Sequence, residues 1–451
     1  MHALLTDRYE LAMLGAYLRE GLAQRRAVFE LSLRKLPRHR RFLVVAGIDR
    51  IARYLETLRF DDRETEYLAR APGLRDVMTD AVVTYLREFR FRGHVDAMRE
   101  GEIAFGGEPI LRIESTLAEA QILETFLLGV INHETKIASK AVRVVLAADG
   151  RPVAEFGARR IDPLVAPYAA RAAYIAGCAS TSCEQAGFDF GVPVSGTCAH
   201  SYMLAHVDGG EEEAFHQFAD AFSSGTALLI DTFDTHRGAL RAAAAGPNVR
   251  AVRIDSGDLA RLGADVRSIL DAKGRNDVKI IGSDDMDEYR ILELLAAGAP
   301  YDGFGVGTAI VLSPDAPSLG AVYKLVEVED RRGQRIAVAK RAPGKASYGS
   351  AKQVYRRFDA SGLMLEDVVT RVNEAPVGEA LLVPLVRDGK IVGDLPTLTE
   401  ATRRARERAA ANLAKLPATQ RELKREEVLE ANAWFPVHPS AALKSVVALE
   451  G

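Results

Sequence analysis

Six segments in the middle of this 451-residue chain share one pattern: an apolar run ends in small or reactive side chains. They finish at Gly157 and Arg159, Ser195 and Thr197, Asp231 and Thr232, Asp255 and Ser256, Ser283 and Asp284, and Gly307 and Thr308. The segment AVRIDSGDLARL is the most specific. It sets Arg253, Asp255, Ser256 and Asp258 at one strand end, where charges buried without partners are costly. A guanidinium fork suits a planar carboxylate or a phosphate. A carboxylate at Asp255 can hold sugar hydroxyls or a hydrated Mg²⁺ beside a diphosphate. An internal ion pair is the plain alternative.

The segments IIGSDD and FGVGTAI come last in this series. Glycine lets backbone N–H groups approach phosphate oxygens, and a following helix adds its positive end. With Ser283 and Thr308 as hydroxyl donors, the two turns read as a phosphate site; glycines that merely permit tight turns are the other reading. His200 lies just past a strand end, with Thr197 on the turn before it. Asp231 from the next strand can fix its tautomer and leave the second ring nitrogen free to attack a phosphoryl group. Cys178, Cys183, Cys198 and His200 lack the paired short cysteine spacing of a zinc knuckle, so no metal ligand set is assigned.

Positioning these groups requires a particular scaffold. Between Pro152 and Leu312, apolar runs alternate with helical segments, which implies a parallel sheet with right-handed crossovers. Regular spacing favours closure as a TIM-like α/β barrel over a doubly wound sheet. The reactive residues would then share its carboxyl-end face. Before it, the first hundred residues mix helices and strands. Leu117 to Ala148 reads as two helices separated by His133, Glu134 and Thr135. After it, AVYKLVEVED and QRIAVAKRA form a hairpin, and KQVYRRFD and ALLVPLV are expected to complete the amino-terminal sheet. The stretch from about Thr399 reads as a solvated helix packed on the outside. Three units follow: an α+β domain from residues 1–116 with 322–390, a barrel over 117–321, and a helical segment over 391–451.

Composition narrows the class. Hydrophobic residues make up 48% and charged residues 27% of the chain, enough for large cores, and the net charge of −3 gives no field for a nucleic-acid backbone. Three cysteines argue against a secreted disulfide framework and for the cytoplasm. Charged residues interrupt the amino terminus, and no long uncharged apolar stretch occurs, so neither a signal peptide nor a membrane span is expected.

The motifs LLTDRYELAML, FELSLRKLP, EFGARR, GTCAHS, DTFDTHRG, VRIDSGDL, DGFGVGTAI, AVYKLVE and KQVYR occur in the order seen in nicotinate phosphoribosyltransferases. The resemblance runs from about Leu4 to Arg356 and more loosely beyond. It implies an irregular TIM-like barrel of the type II phosphoribosyltransferase kind and a homodimer. The implied reaction is transfer of phosphoribosyl from phosphoribosyl pyrophosphate to nicotinate, coupled to ATP through a phosphohistidine, with Mg²⁺. His200 matches the phosphorylated residue and Asp231 its orienting carboxylate. Tyr9 and Phe156 resemble the aromatic pair around the pyridine ring, Tyr9 reaching from a partner subunit. Arg253 and Thr197 would meet the nicotinate carboxylate, and Arg159 the ring side or the 5′-phosphate. Asp255 resembles the ribose-holding acid, and Gly282, Ser283, Gly307 and Thr308 the 5′-phosphate cradle. Lys140 and Arg143 are carried over as diphosphate ligands. Nicotinamide-using relatives carry an Asp where this chain has Thr181, Ser182 and Cys183, which implies nicotinate. Nicotinamide or quinolinate as substrate, and a non-catalytic nucleotide-binding barrel, are the alternatives.

Overall fold

The structure, a computed structural model, describes residues 3–340, 348–393, 396–423 and 434–446. In its middle, each short apolar strand is followed by a helix that crosses back over the sheet. The strands pair in parallel in the order Ser180–Thr181, Val153–Glu155, Gly303–Val306, Lys279–Gly282, Val249–Ile254 and Thr226–Leu229. Crossovers such as Thr235–Ala244, Leu259–Ala272 and Glu288–Ala296 start at Asp234, Asp258 and Asp287, whose carboxylates accept from first-turn N–H groups.

Among the described residues this curled ladder does not close. GVPVSGT, expected as a full strand, supplies one parallel bridge, Val194 to Thr181. Pro193 has no N–H to donate, and Gly191 and Gly196 flank the run, so a longer ladder is not sustained. The seam beyond is crossed by the Thr197 hydroxyl, which donates to the Ala227 carbonyl at 2.7 Å. Ser180–Thr181 is a strand without hydrophobic alternation, hence invisible to periodicity.

A second core lies under an antiparallel sheet ordered Arg335–Ala337, Ala321–Glu329, Arg26–Leu33, Pro109–Thr116, His94–Ala97, Val383–Arg387 and Lys390–Ile391. It joins strands from before and after the parallel sheet: Leu31 faces Tyr323 on one side and Leu111 on the other. The expected hairpin forms, with the Asp330 carboxylate accepting from the N–H groups of Arg332 and Gln334. Lys352–Phe358 does not enter this sheet. A tight turn at Asp359 folds it onto Met364–Arg371, in a separate sheet with Glu379–Ala380 and Val437–Pro439. The last of these is a strand within the carboxyl-terminal segment expected to be helical.

One further expectation changes. His133, Glu134 and Thr135 do not break a helix: Glu124–Ala147 runs through them, and the interruption falls earlier, after Leu117–Gln121. Their polarity is answered inside the core. The Thr135 hydroxyl donates to the Ala46 carbonyl and accepts from the Ala46 N–H, and Glu134 pairs with Arg50 at 3.2 Å. The charged helix Leu398–Lys415 packs on the outside as expected, exposed on one face and docked by the other. Ala405 and Ala409 are buried, Arg171 donates to Thr402, and a Cβ on Gly101 would lie 2.1 Å from the Ala405 carbonyl oxygen. No described helix is long and apolar enough to cross a membrane.

Candidate functional site

The carboxyl ends of the parallel strands surround a cavity of about 520 Å³. Phe156, Arg159, Thr197, Arg253, Asp255, Ser283, Gly307 and Thr308 all line it, so residues spread over 150 positions meet because their strands are parallel neighbours. Phe156 is anchored by its N–H, which donates to the Val306 carbonyl at 2.9 Å. Its ring lies so close to Gly305 that a Cβ there would come within 2.4 Å of it. Gly307 is held as tightly, 2.9 Å from the Phe156 carbonyl oxygen on the same construction. These glycines seat an aromatic platform as well as turning the chain.

Arg253 carries the main uncommitted charge. Its Nη1 lies 3.7 Å from Asp255 Oδ1, and its buried Nε has no hydrogen-bond partner among the described residues. An incoming planar anion would supply that acceptor. Arg159 and Arg160 stand exposed on the short turn Ala158–Arg160 at the rim. Opposite them, Asp284 and Asp285 adopt left-handed backbone angles, φ 90° and 41°, strained for residues with a Cβ. Burial, then the carboxylates of Asp285, Asp255 and Asp231, push the Asp284 carboxyl above its usual range.

Several expected roles are redistributed. Asp231 does not meet His200: its Oδ2 accepts from the Asp255 N–H at 2.9 Å and the Ser256 hydroxyl at 2.6 Å, because the next parallel strand end is its nearest donor. Its buried Oδ1 has no hydrogen-bond partner among the described residues. His200 begins the helix His200–Ala205 beside the cavity, and its Nδ1 lies 3.1 Å from the Thr232 hydroxyl. Ser283 donates to Asp255 Oδ1 at 2.5 Å, so its proton orients that acid rather than a phosphate. Thr197 likewise spends its proton on Ala227. Gly282 sits at its strand end, against the Tyr301 ring, outside the cavity lining.

Lys140 and Arg143 lie elsewhere, buried on the long helix. Lys140 Nζ contacts Glu288 at 2.6 Å and Asp315 at 3.1 Å; Arg143 Nε contacts Glu288 at 2.8 Å. Arg40 adds a second cation to Asp315 at 2.7 Å. Despite burial, these cations hold the Glu288 and Asp315 carboxyls below their usual range. The cluster therefore ties the start of Glu288–Ala296 and the loop after Thr308–Leu312 to the long helix. Tyr9, half exposed on Arg8–Arg19, is away from its own chain's cavity; burial and the neighbouring Glu124 push its phenol up. Asp285 and Met286 line the cavity without having been singled out, although the double Asp after IIGS was the available signal. Glu288 and Asp315 had none, since their partners lie far away in sequence.

Comparison with known proteins gives one consistent answer. Residues 4–132 match the family model for the nicotinate phosphoribosyltransferase amino-terminal domain. The chain is 43% identical over 426 residues to nicotinate phosphoribosyltransferase pncB1 of Mycobacterium tuberculosis, covering 92% of this chain and 91% of that protein. The Bacillus subtilis nicotinate phosphoribosyltransferase is 39% identical over 369 residues, 80% of this chain and 74% of that one. Human nicotinic acid phosphoribosyltransferase superposes with a TM-score of 0.80 at 26% identity, covering 98% and 99% of the two chains. A nicotinate-nucleotide pyrophosphorylase from Pyrococcus furiosus gives 0.73 at 29% identity, covering 91% and 96%.

Proposed function

The chain belongs to the nicotinate phosphoribosyltransferase family, and from that premise we propose that it transfers phosphoribosyl from phosphoribosyl pyrophosphate to the ring nitrogen of nicotinate, releasing pyrophosphate, with ATP hydrolysis coupled through His200. The observation that carries this reading is Arg253, a partly exposed guanidinium whose buried Nε–H has no acceptor among the described residues, with the Phe156 ring in the same cavity. A flat aromatic acid satisfies both: its ring lies on Phe156 and its carboxylate takes the fork.

Little acid or base chemistry is asked of the protein, because a ring nitrogen attacks an anomeric carbon of oxocarbenium character. Positioning and charge dominate. Asp255, fixed by Ser283 and by the Asp231 clasp on its N–H, is placed to hold the ribose hydroxyls. Gly307, Thr308 and the rim cations Arg159 and Arg160 face the phosphates. Asp231 Oδ1, buried without a hydrogen-bond partner among the described residues, is an acceptor that a hydrated Mg²⁺ beside the diphosphate would answer. When bound, the ion supplies countercharge to the diphosphate. Among the described residues no three of His, Cys, Asp and Glu converge as a metal-binding group, so the diphosphate and water would supply most of the ion's ligands, and Asp231 and Asp255 would reach it through those waters. His200 keeps Nδ1 on the Thr232 hydroxyl, which leaves Nε2 as the phosphoryl acceptor.

The curled parallel sheet, with its seam at Thr197, is read as the irregular TIM-like barrel of type II phosphoribosyltransferases. We place the enzyme in the ATP-dependent ligase class, in the cytoplasm, as a homodimer in which Tyr9 reaches the partner's ring site. Incubation with phosphoribosyl pyrophosphate and Mg²⁺, offering nicotinate, nicotinamide or quinolinate with and without ATP, tests the reading. Mononucleotide should form from nicotinate and rise with ATP, and His200→Ala should keep slow transfer but lose the rise. No product from nicotinate overturns the substrate. Product from quinolinate alone would instead assign Arg159 and Arg160 to a second carboxylate.

A further inference from the structure

A filled α/β barrel packs branched side chains inward in layers. Here many inward positions of the parallel strands are small, Ala154, Ala227, Ala251 and Gly303, while Leu229, Arg253 and Ile281 form one row of larger ones. Burial is inverted accordingly. Val153, Val252 and Ile280, which face the helices, are at most 1% exposed, whereas Ala154, Ala227 and Ile281 remain partly accessible from inside. The result is a lumen of about 770 Å³, larger than the site cavity and separate from it, within the range of small-molecule pockets. The two share Phe156, Gly196, Thr197 and Arg253 as a common partition.

The lumen's other end lies at the amino ends of the strands, where Arg250, Lys279 and Asp302 form the rim. Lys279 is 3.0 Å from Asp302, while exposed Arg250 has no carboxylate in ion-pair contact among the described residues, so the mouth carries excess positive charge. Apolar walls behind a cationic rim define an amphiphilic anion. We propose that the lumen is a second ligand site, taking a slender aliphatic carboxylate whose chain passes between the small inward residues and whose headgroup meets Arg250 and Lys279. This site requires no turnover, so it stands or falls apart from the transfer reaction.

Calorimetric titration with decanoate, below its aggregation concentration and at low salt, tests it. The wild-type chain should bind saturably. Ala251→Leu and Ala227→Leu, which place a branched side chain in the lumen, should each weaken binding at least tenfold. Arg250→Glu, a surface change that leaves the core intact, should weaken it about tenfold and remove most of its salt dependence. Decyltrimethylammonium should not bind. Absence of saturable binding to the wild type, or unchanged binding in the folded lumen variants and in Arg250→Glu, overturns the site. Equal affinity for decanol overturns the carboxylate.

Discussion

Lys140, Arg143 and Arg40 on one side, and Arg253, Arg159 and Arg160 on the other, stand on neighbouring parts of one fold yet differ in who supplies their countercharge. The first set is sealed against Glu288 and Asp315 at 2.6 to 3.1 Å, and its cations are nearly inaccessible. The second set faces a cavity, with Asp255 as its nearest acid at 3.7 Å from Arg253. Lys140 and Arg143 in the first set, and Arg159 and Arg253 in the second, are all anion ligands by the family resemblance. The difference teaches that a basic residue near a phosphate site earns a ligand role only after the protein's own carboxylates have been counted.

Breaking the sealed set should do most damage. Glu288→Ala leaves two buried cations facing one another, and a loss of about 3–5 kcal/mol is expected, read as a lowered urea midpoint. If Glu288→Ala unfolded like the wild type, the cluster would not clamp these elements to the long helix. Arg253→Ala should reverse the pattern, with stability nearly unchanged and the KM for nicotinate raised about 100-fold, near 3 kcal/mol, by loss of a desolvated carboxylate partner. A fall in stability without change in KM would move Arg253 into the sealed set.

The smallest effect comes from a partly buried group with no carboxylate in ion-pair contact among the described residues. Burial lowers His133 from its ordinary 6.5 to about 4, so it is neutral in the fold while the unfolded chain takes a proton below pH 6.5. The unfolded state then binds more protons, and stability falls as pH drops from 6.5 toward 4. His133→Gln should remove about 2 kcal/mol of the acid loss between pH 7 and pH 5, measured as the difference between the two proteins' unfolding midpoints. Equal acid sensitivity in both would show that His133 does not titrate in this window.

What sequence alone could reach follows from the same comparison. Strand ends are local patterns, so Arg253, Asp255, Gly307 and Thr308 read from the sequence as sharing one face, Phe156 joins them by the family resemblance, and the cavity contains all five. Partners are not local. Asp231 had two reasonable donors, His200 or the Asp255 backbone, and only strand adjacency decides between them. Ser283 and Lys140 were read as ligands because their nearest acids, Asp255 and Glu288, come from other elements. The long helix was split at His133 because polar residues there looked solvated, although Ala46 and Arg50, some 85 positions earlier, receive them.

The antiparallel sheet has a consequence for how the chain is made. Arg26–Leu33 pairs with Pro109–Thr116 early, but its other edge waits for Ala321–Glu329. During synthesis the whole parallel sheet emerges while that edge exposes unpaired N–H and C=O groups, a template for any passing strand. Leu398–Lys415, which seals Gly101 and Arg171, emerges later still. The ribosome therefore delivers the catalytic face before it delivers the strand that protects its neighbour, and holdase binding to nascent chains should end as residue 329 clears the exit tunnel.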